Sequence, residues 1–238
     1  MANNENGKGL LGILQGAVDS VKSTVEGIKL PEIHISNPFQ GNPVKKEEPT
    51  PPEEIKSISS KSAIKIIFYM MAADGKIYHD EEEKFNEIGR ELDPDFEANK
   101  DTIFQECQAQ MSKVTDLGDY YSVLQDGVAI AITAGANAKE SVISPKVLAW
   151  DLLAVAYSDG NYDDKERQLM KYIVHKFNID KTVFLEMESS FLTLMDLENE
   201  LNWIKTTDRP YLTIESIVNE ISDRKTAILE GLKDLIAL

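Results

Sequence analysis

The chain has 238 residues, of which 42% are hydrophobic and 28% are charged, as is usual for a folded soluble protein. Its formal net charge of −16 repels phosphate backbones, so the composition argues against a nucleic-acid-binding protein and favours cations or basic partners. The single cysteine, Cys107, excludes an internal disulfide.

No part of the sequence is typical of a targeting or membrane-spanning segment. The N-terminus lacks the basic region and long apolar core of a secretory signal. No stretch approaches the roughly 20 consecutive apolar residues of a membrane span. We therefore expect a cytoplasmic protein.

The first predicted element is an amphipathic helix over residues 9–29, within an N-terminal segment of residues 1–29. Its opposite face mixes acidic and basic residues, unlike the cationic face of a typical helix that binds anionic membranes. Three roles stay open for it: peripheral contact with a membrane, docking on a protein partner, or folding back onto its own domain. The apolar stripe has helical spacing and consists of Leu10, Leu14, Ala17, Val18, Val21, Val25 and Ile28.

Residues 30–57 are predicted to form a semi-rigid, exposed linker. Proline removes the hydrogen bonds of helices and sheets and favours extended backbone. A helix tethered by such a linker is a feature of recruitment more than of catalysis. The prolines of this segment are Pro31, Pro38, Pro43, Pro49, Pro51 and Pro52.

Residues 58–205 show helical periodicity throughout, and we predict an all-α domain without a sheet. Ser144 and Pro145 mark the start of one helix, with the serine as N-cap and the proline in the first turn.

The segment of residues 206–238 predicts a C-terminal amphipathic helix. Its stripe repeats at heptad spacing and is interrupted only by Lys225. The helix either packs on its own bundle or forms a coiled coil with another chain, which would make the protein an oligomer. The stripe consists of Ile214, Val218, Ile221, Lys225, Ile228, Leu232 and Leu235.

A short motif occurs twice, at residues 74–81 and 159–166: Asp-Gly, then an apolar or aromatic residue, then a glutamate seven positions after the aspartate. In both copies an apolar helix precedes the motif and an amphipathic helix follows it. The repetition predicts a duplicated helical hairpin. Gly75 and Gly160 are expected to adopt the left-handed conformation that ends a helix.

The residues after each glycine are predicted to start the next helix. Asp163 and Glu166 have the spacing of a capping box, whereas Tyr78 stands at the first position of the other copy and leaves that cap less clear. Ile77 and Tyr162 are predicted to act as apolar pins that fix the angle at which the chain enters the next helix.

The repeated motif is also compatible with a weak site for a divalent cation. Its spacing from glycine to glutamate equals that of an EF-hand loop, but the first ligand positions of such a loop hold no carboxylate here, which excludes an EF-hand. If a pseudo-two-fold axis brings the copies together, the carboxylates of Asp74, Glu81, Asp159 and Glu166 would converge and suit Ca²⁺ or Mg²⁺. A purely structural helix joint explains the motif as well.

The segments MAADGKIYHDEEE and AYSDGNYDDKE resemble the TerB family of tellurite-resistance proteins and the TerB-like domains of some J-domain proteins. The resemblance covers about residues 58–205. It implies a compact bundle of about seven helices with internal pseudo-symmetry, and a cytoplasmic stress-response or membrane-associated role. It also implies a divalent cation at Asp74, Glu81, Asp159 and Glu166.

The sequence lacks the recognised signatures of phosphate-binding loops, dinucleotide-binding folds and zinc sites. We therefore expect a non-enzymatic interaction module that recruits protein partners through its N-terminal helix and possible C-terminal contacts. The alternative is a carboxylate-based, metal-dependent hydrolase that uses the Asp-Gly motifs, so enzymatic activity stays undecided.

Overall fold

The computed structural model describes residues 54–116, 118–139, 141–160 and 162–237. The predicted N-terminal helix and residues 30–53 of the predicted linker lie outside them. Seven of the helices, α1–α7, fall within residues 58–205, which confirms the predicted all-α bundle. The described residues form, in order, β1 (Ile58–Ser59), α1 (Ser60–Met71), α2 (His79–Leu92), α3 (Phe96–Met111), α4 (Tyr120–Gly135), β2 (Val142–Ile143), α5 (Pro145–Ala156), α6 (Asp164–Lys176), α7 (Lys181–Lys205) and α8 (Tyr211–Ala237).

Two helices, α1 and α5, form the centre of the bundle. Both are apolar almost all round, so they bury most of their side chains instead of a single face. Each is capped by a serine: the Ser59 hydroxyl accepts a hydrogen bond from Ser62 N at 3.3 Å, and the Ser144 hydroxyl accepts one from Val147 N at 3.2 Å. Pro145 follows the second cap, which confirms the helix start predicted there.

A short antiparallel sheet joins the starts of α1 and α5. Ile58 pairs with Ile143, and Ser59 pairs with Val142. The expectation of no sheet is therefore wrong for these four residues. Strands of two residues are too short to show the period-two alternation by which strands are recognised in a sequence.

The C-terminal helix α8 forms a hairpin with α7. Lys225, which interrupts the heptad stripe, is buried and makes an ion pair with Glu198 of α7. The stripe of α8 thus packs on α7 of the same chain, which is one of the two predicted alternatives. The other alternative, a coiled coil with another chain, stays a prediction. The apolar cluster between the two helices consists of Leu197, Leu201, Ile204, Ile214 and Ile221. No helix in the described part of the chain is long and apolar enough to cross a membrane.

Candidate functional site

The two Asp-Gly joints connect α1 to α2 and α5 to α6, and they share one backbone conformation. Gly75 and Gly160 have φ angles of +89° and +80°, in the left-handed region. In each joint the glycine N–H donates to the carbonyl oxygen three residues earlier, of Ala72 or of Tyr157, at 3.1 Å. The predicted glycine conformation is confirmed in both copies.

In both joints the glutamate accepts a hydrogen bond from the backbone. Glu81 Oε2 accepts from Tyr78 N at 2.7 Å, and Glu166 Oε2 accepts from Asp163 N at 2.7 Å. The second joint has a complete capping box, because Asp163 Oδ1 also accepts from Glu166 N at 2.9 Å. Tyr78 makes no such hydrogen bond through its side chain, so the first joint has only the glutamate half of the box.

The residue two positions after the glycine, Ile77 in the first joint and Tyr162 in the second, has a different environment in each joint. Tyr162 is buried, with its ring centre 4.7 Å from that of Tyr157. The Ile77 side chain is 46% exposed, so the prediction that it pins the chain is wrong. The position that matches Tyr157 in the first joint is Ala72, which is too small to offer Ile77 a comparable contact.

The joints lie next to each other in the folded chain. The Lys165 ammonium donates a hydrogen bond to the backbone carbonyl of Asp74, across the two copies, at 3.2 Å. Glu81 lies within electrostatic range of Asp159, and Glu166 lies within range of both Glu81 and Asp159. The fold therefore brings the four predicted ligand residues into one neighbourhood.

Burial and mutual repulsion shift the titration of both glutamates. Glu81 is only 3% exposed, and burial raises its pKa to about 7, with a smaller contribution from the charges of Asp159, Asp74 and Asp163. Burial also raises the pKa of Glu166 to about 8, again reinforced by neighbouring carboxylates. The hydrogen bond from the backbone opposes the shift in each case, but does not cancel it. Both glutamates consequently carry a proton for part of the time at neutral pH.

The donor set suits a hard cation, but the geometry does not form a closed site. Carboxylate oxygens are the ligands that Ca²⁺ and Mg²⁺ prefer. Among the described residues, however, no group of three or more His, Cys, Asp or Glu side chains is arranged to hold a metal ion. Glu81 and Glu166 each commit one carboxylate oxygen to a backbone N–H. A cation at the joints would thus require the carboxylates to move toward it.

A buried carboxyl group on α5 was not anticipated from the sequence. Asp151 is fully buried, and neither of its carboxylate oxygens has a hydrogen-bond partner in the described part of the structure. Burial raises its pKa well above the usual value, with the charge of Glu91 adding to the shift and the ammonium of Lys84 opposing it. The available signal was an aspartate in the middle of the apolar run LAWDLLAVA. A helix that is apolar all round is buried on every side, so its aspartate is buried as well.

Large apolar side chains are exposed around the turn between α7 and α8. Trp203 and Tyr211 are both exposed, and the Leu212 side chain is 84% exposed. This surface, the hairpin tip, lies beyond the apolar cluster that joins the two helices. Aromatic residues are enriched in protein interfaces, and the hairpin tip shares this composition.

Comparison with known proteins identified a family. The model of the family described as tellurite resistance protein TerB matches residues 61–188, which is more than half of the chain. The matched residues include both Asp-Gly joints. No curated protein and no solved structure matches the chain significantly.

Proposed function

The chain belongs to the TerB family, and on that premise we propose that it is a non-enzymatic interaction module whose paired Asp-Gly joints bind a divalent cation. Ca²⁺ or Mg²⁺ is the proposed ligand, because both prefer oxygen donors. Protein partners are proposed to bind through the terminal segments, away from the joints.

The observation that carries the proposal is that two buried glutamates, one in each joint, lie close enough for their charges to interact. A carboxylate that is shielded from water and close to other carboxylates is unfavourable in its charged form. A cation between Glu81 and Glu166 would neutralise this repulsion and provide the pairing that buried charges need. Because the same glutamates accept hydrogen bonds at the starts of α2 and α6, the cation would also tie the two halves of the bundle together.

We expect the affinity to be low. Exposed or incompletely formed calcium sites bind with a Kd of roughly 10⁻⁴ to 10⁻³ M. The affinity is low because the free energy needed to rearrange the ligands reduces the net free energy of binding. Such a site would respond to millimolar changes in cation concentration. Its occupancy would then report on the ionic surroundings of the protein.

The hairpin tip supports the proposed contact with a partner protein at the C-terminal end. Trp203, Tyr211 and Leu212 offer apolar surface that no other described element covers. Such side chains gain free energy when they enter an apolar pocket of a partner.

Isothermal titration calorimetry of the full chain with Ca²⁺ and with Mg²⁺ tests the cation proposal. The variant Asp74→Asn/Asp159→Asn removes two charges while it keeps the side-chain shape and the acceptor that Asp74 offers to Lys76 N. We expect saturable heat in the natural chain and at least tenfold weaker binding in the double variant. Asp126→Asn, on the exposed face of α4, is the matched control and should bind as the natural chain does.

Two results would overturn the cation proposal. One is the absence of saturable heat up to 10 mM of either ion, a range that covers roughly ten times the expected Kd. The other is a heat that the double variant retains, which would place the cation elsewhere on this acidic chain.

A further inference from the structure

An apolar groove runs along the exposed side of α4. At one end it opens into a cavity of about 260 Å³ between α1, α3 and α4, and it continues along α4 as a recess of about 400 Å³. Ile130 and Ala134 line both cavities, and Ala109 and Ala131 line the first. The ion pair of Lys65 with Glu106 borders the first cavity. We call this surface the α4 groove.

Small residues create the α4 groove. Gly127 lets α4 approach α1 so closely that a Cβ atom there would lie 2.5 Å from the ring of Tyr69. The alanines that follow leave a shallow channel instead of a ridge. Within that channel the Ile130 side chain is 57% exposed, on a helix whose other large apolar residues are buried or half-buried. A channel of alanines beside one protruding isoleucine is suited to receive a helix with large apolar side chains.

The chain enters the described structure at the end of this groove. Ser57 O accepts a hydrogen bond from Asn137 N at 2.8 Å, and Lys56 N donates one to Asn137 Oδ1 at 3.0 Å. Ile58 bridges to Ala136, the residue that caps the C-terminus of α4. Ile130 is six residues before that cap, which is about 9 Å along the helix axis. The described part of the chain therefore starts close to the end of α4 that carries the groove.

We propose that the apolar stripe of residues 9–29 docks in the α4 groove of its own chain. Its large side chains, Leu14, Val18 and Val21 among them, would cover Ile130 and fill the channel between the alanines. Residues 30–53 can span up to about 75 Å when extended, far more than the distance along α4 requires. Because the stripe is covalently attached to the bundle, its docking is an intramolecular event, so a smaller contact area is enough than for a separate partner.

Docking makes the stripe unavailable to other partners until they displace it. This regulatory consequence rests on the proposed recruitment function, whereas the docking itself does not. It is also independent of the cation, because the α4 groove and the Asp-Gly joints involve different residues. A chain that binds no cation can therefore still show the docking, and the reverse holds as well.

Hydrogen–deuterium exchange of the full chain tests the proposal. In the natural chain at low micromolar concentration we expect the amides of residues 10–28 to exchange at least about tenfold more slowly than in an undocked segment. Ile130→Asp puts a charge into the groove at an exposed position and should abolish this protection. Leu212→Asp, an equally drastic change at the more exposed hairpin tip, should leave it intact.

A short bis-maleimide crosslinker provides a second measurement. The natural Cys107 is buried, so cysteines introduced at Val18 and Thr133 are the reactive pair. We expect an intramolecular crosslink in the variant Val18→Cys/Thr133→Cys. A several-fold lower yield is expected when Ser23→Cys, on the opposite face of the predicted helix, replaces Val18→Cys.

Each alternative outcome overturns docking within the chain. Rapid exchange in the natural chain, or protection that survives Ile130→Asp, would remove the groove as the docking site. Protection that grows with protein concentration, together with crosslinks between chains, would assign the groove to a second copy. Protection that appears only when lipid vesicles are added would assign the stripe to a membrane.

Discussion

Ile58 and Ile143 face each other in the antiparallel sheet, and they are also equivalent positions of the internal repeat, 85 residues apart. The same separation relates Asp74 to Asp159. When a residue pairs with its own equivalent in an antiparallel register, a two-fold axis passes midway between the two residues. The pseudo-two-fold axis of the bundle thus passes through the sheet at the start of α1 and α5. The same axis relates the two joints that follow these helices.

The ion pair between Lys225 and Glu198 should be needed for the α7–α8 hairpin. Removal of one partner leaves a buried charge without compensation, which typically costs about 3–5 kcal/mol of unfolding free energy. We therefore expect Lys225→Met alone and Glu198→Leu alone to destabilise the protein strongly in urea denaturation. The double variant Lys225→Met/Glu198→Leu should recover most of the loss, because a well-packed apolar pair can replace a buried ion pair.

The interpretation is wrong if the double variant is as unstable as the two single variants combined. That result would mean that the shape of the ion pair, and not its charge balance, holds α8 against α7.

The facing joints should make stability fall as the pH rises. Glu81 and Glu166 have folded-state pKa values of about 7 and about 8, above the ordinary value of 4.5. Between pH 4.5 and 8 the folded state binds more protons than the unfolded state, so the stabilisation is complete below pH 4.5 and is lost by pH 8. We expect a loss of about 1–3 kcal/mol across this window, after a discount for solvent screening and for coupling between the two groups.

Urea denaturation at several pH values measures this loss. Glu81→Gln/Glu166→Gln cannot ionise and should flatten the dependence, whereas Glu186→Gln on the exposed face of α7 should not change it. Stability that rises from pH 5 to pH 8 in the natural chain would contradict the expected titration. Cation binding at the joints should restore stability at pH 8 more than at pH 5, since only the ionised carboxylates gain from it.

Asp151 should be a source of instability at neutral and alkaline pH. Its folded-state pKa is raised, so its contribution to stability falls as the pH rises above 3.8, the ordinary value. Asp151→Asn keeps the shape and removes the ionisation, and we expect this variant to be more stable than the natural protein at pH 8 by about 1–2 kcal/mol. Thermal and urea denaturation at pH 5 and pH 8 provide the comparison.

A variant that is less stable than the natural chain at pH 8 would show that the Asp151 carboxylate is stabilised in its charged form. The ammonium of Lys84, which lowers the pKa of Asp151, would then be its functional partner.

Glycine at the joints should be required for its backbone conformation. Gly75→Ala and Gly160→Ala force a Cβ into the left-handed region, at a cost of about 1–2 kcal/mol each. Gly231→Ala in α8 is the matched control, because no atom lies within 4 Å of the added Cβ and the backbone is helical. There alanine should stabilise the protein by about 0.5–1 kcal/mol.

Urea denaturation of the three variants reveals the sign of each change. Equal effects at all three positions would contradict the conformational argument and would point to a general cost of replacing glycine in this chain.

The features that could be predicted from the sequence are local ones. The left-handed glycines and the capping box at Asp163 and Glu166 depend on residues within a few positions of each other. The order of residues in the sequence is therefore enough to predict them. The duplication was visible because both copies keep that local chemistry. The all-α class of the domain followed from apolar spacing alone.

The remaining features depend on contacts between distant segments. The sheet consists of four residues whose pairing is decided by the packing of α1 and α5, and the burial of Asp151 is decided by which helices surround α5. In the sequence Lys225 interrupts a heptad stripe, whereas in the fold it pairs with Glu198 of the neighbouring helix. That the joints face each other required the fold, and the role of their carboxylates as cation ligands stays a prediction.

The two-residue strands have a mechanical consequence. Because β1 lies between the N-terminal part of the chain and α1, tension applied to residues before Glu54 is transmitted first to the hydrogen bonds of Lys56 and Ser57 with Asn137. It then reaches the sheet and the hydrogen bond from Ser60 N to Ser141 O, at 2.7 Å. The partner strand leads directly into α5, so a pull on one terminus loads both central helices together. A tethered partner would therefore strain the starts of both central helices, and the contacts with Asn137 and the short sheet would yield before the helices do.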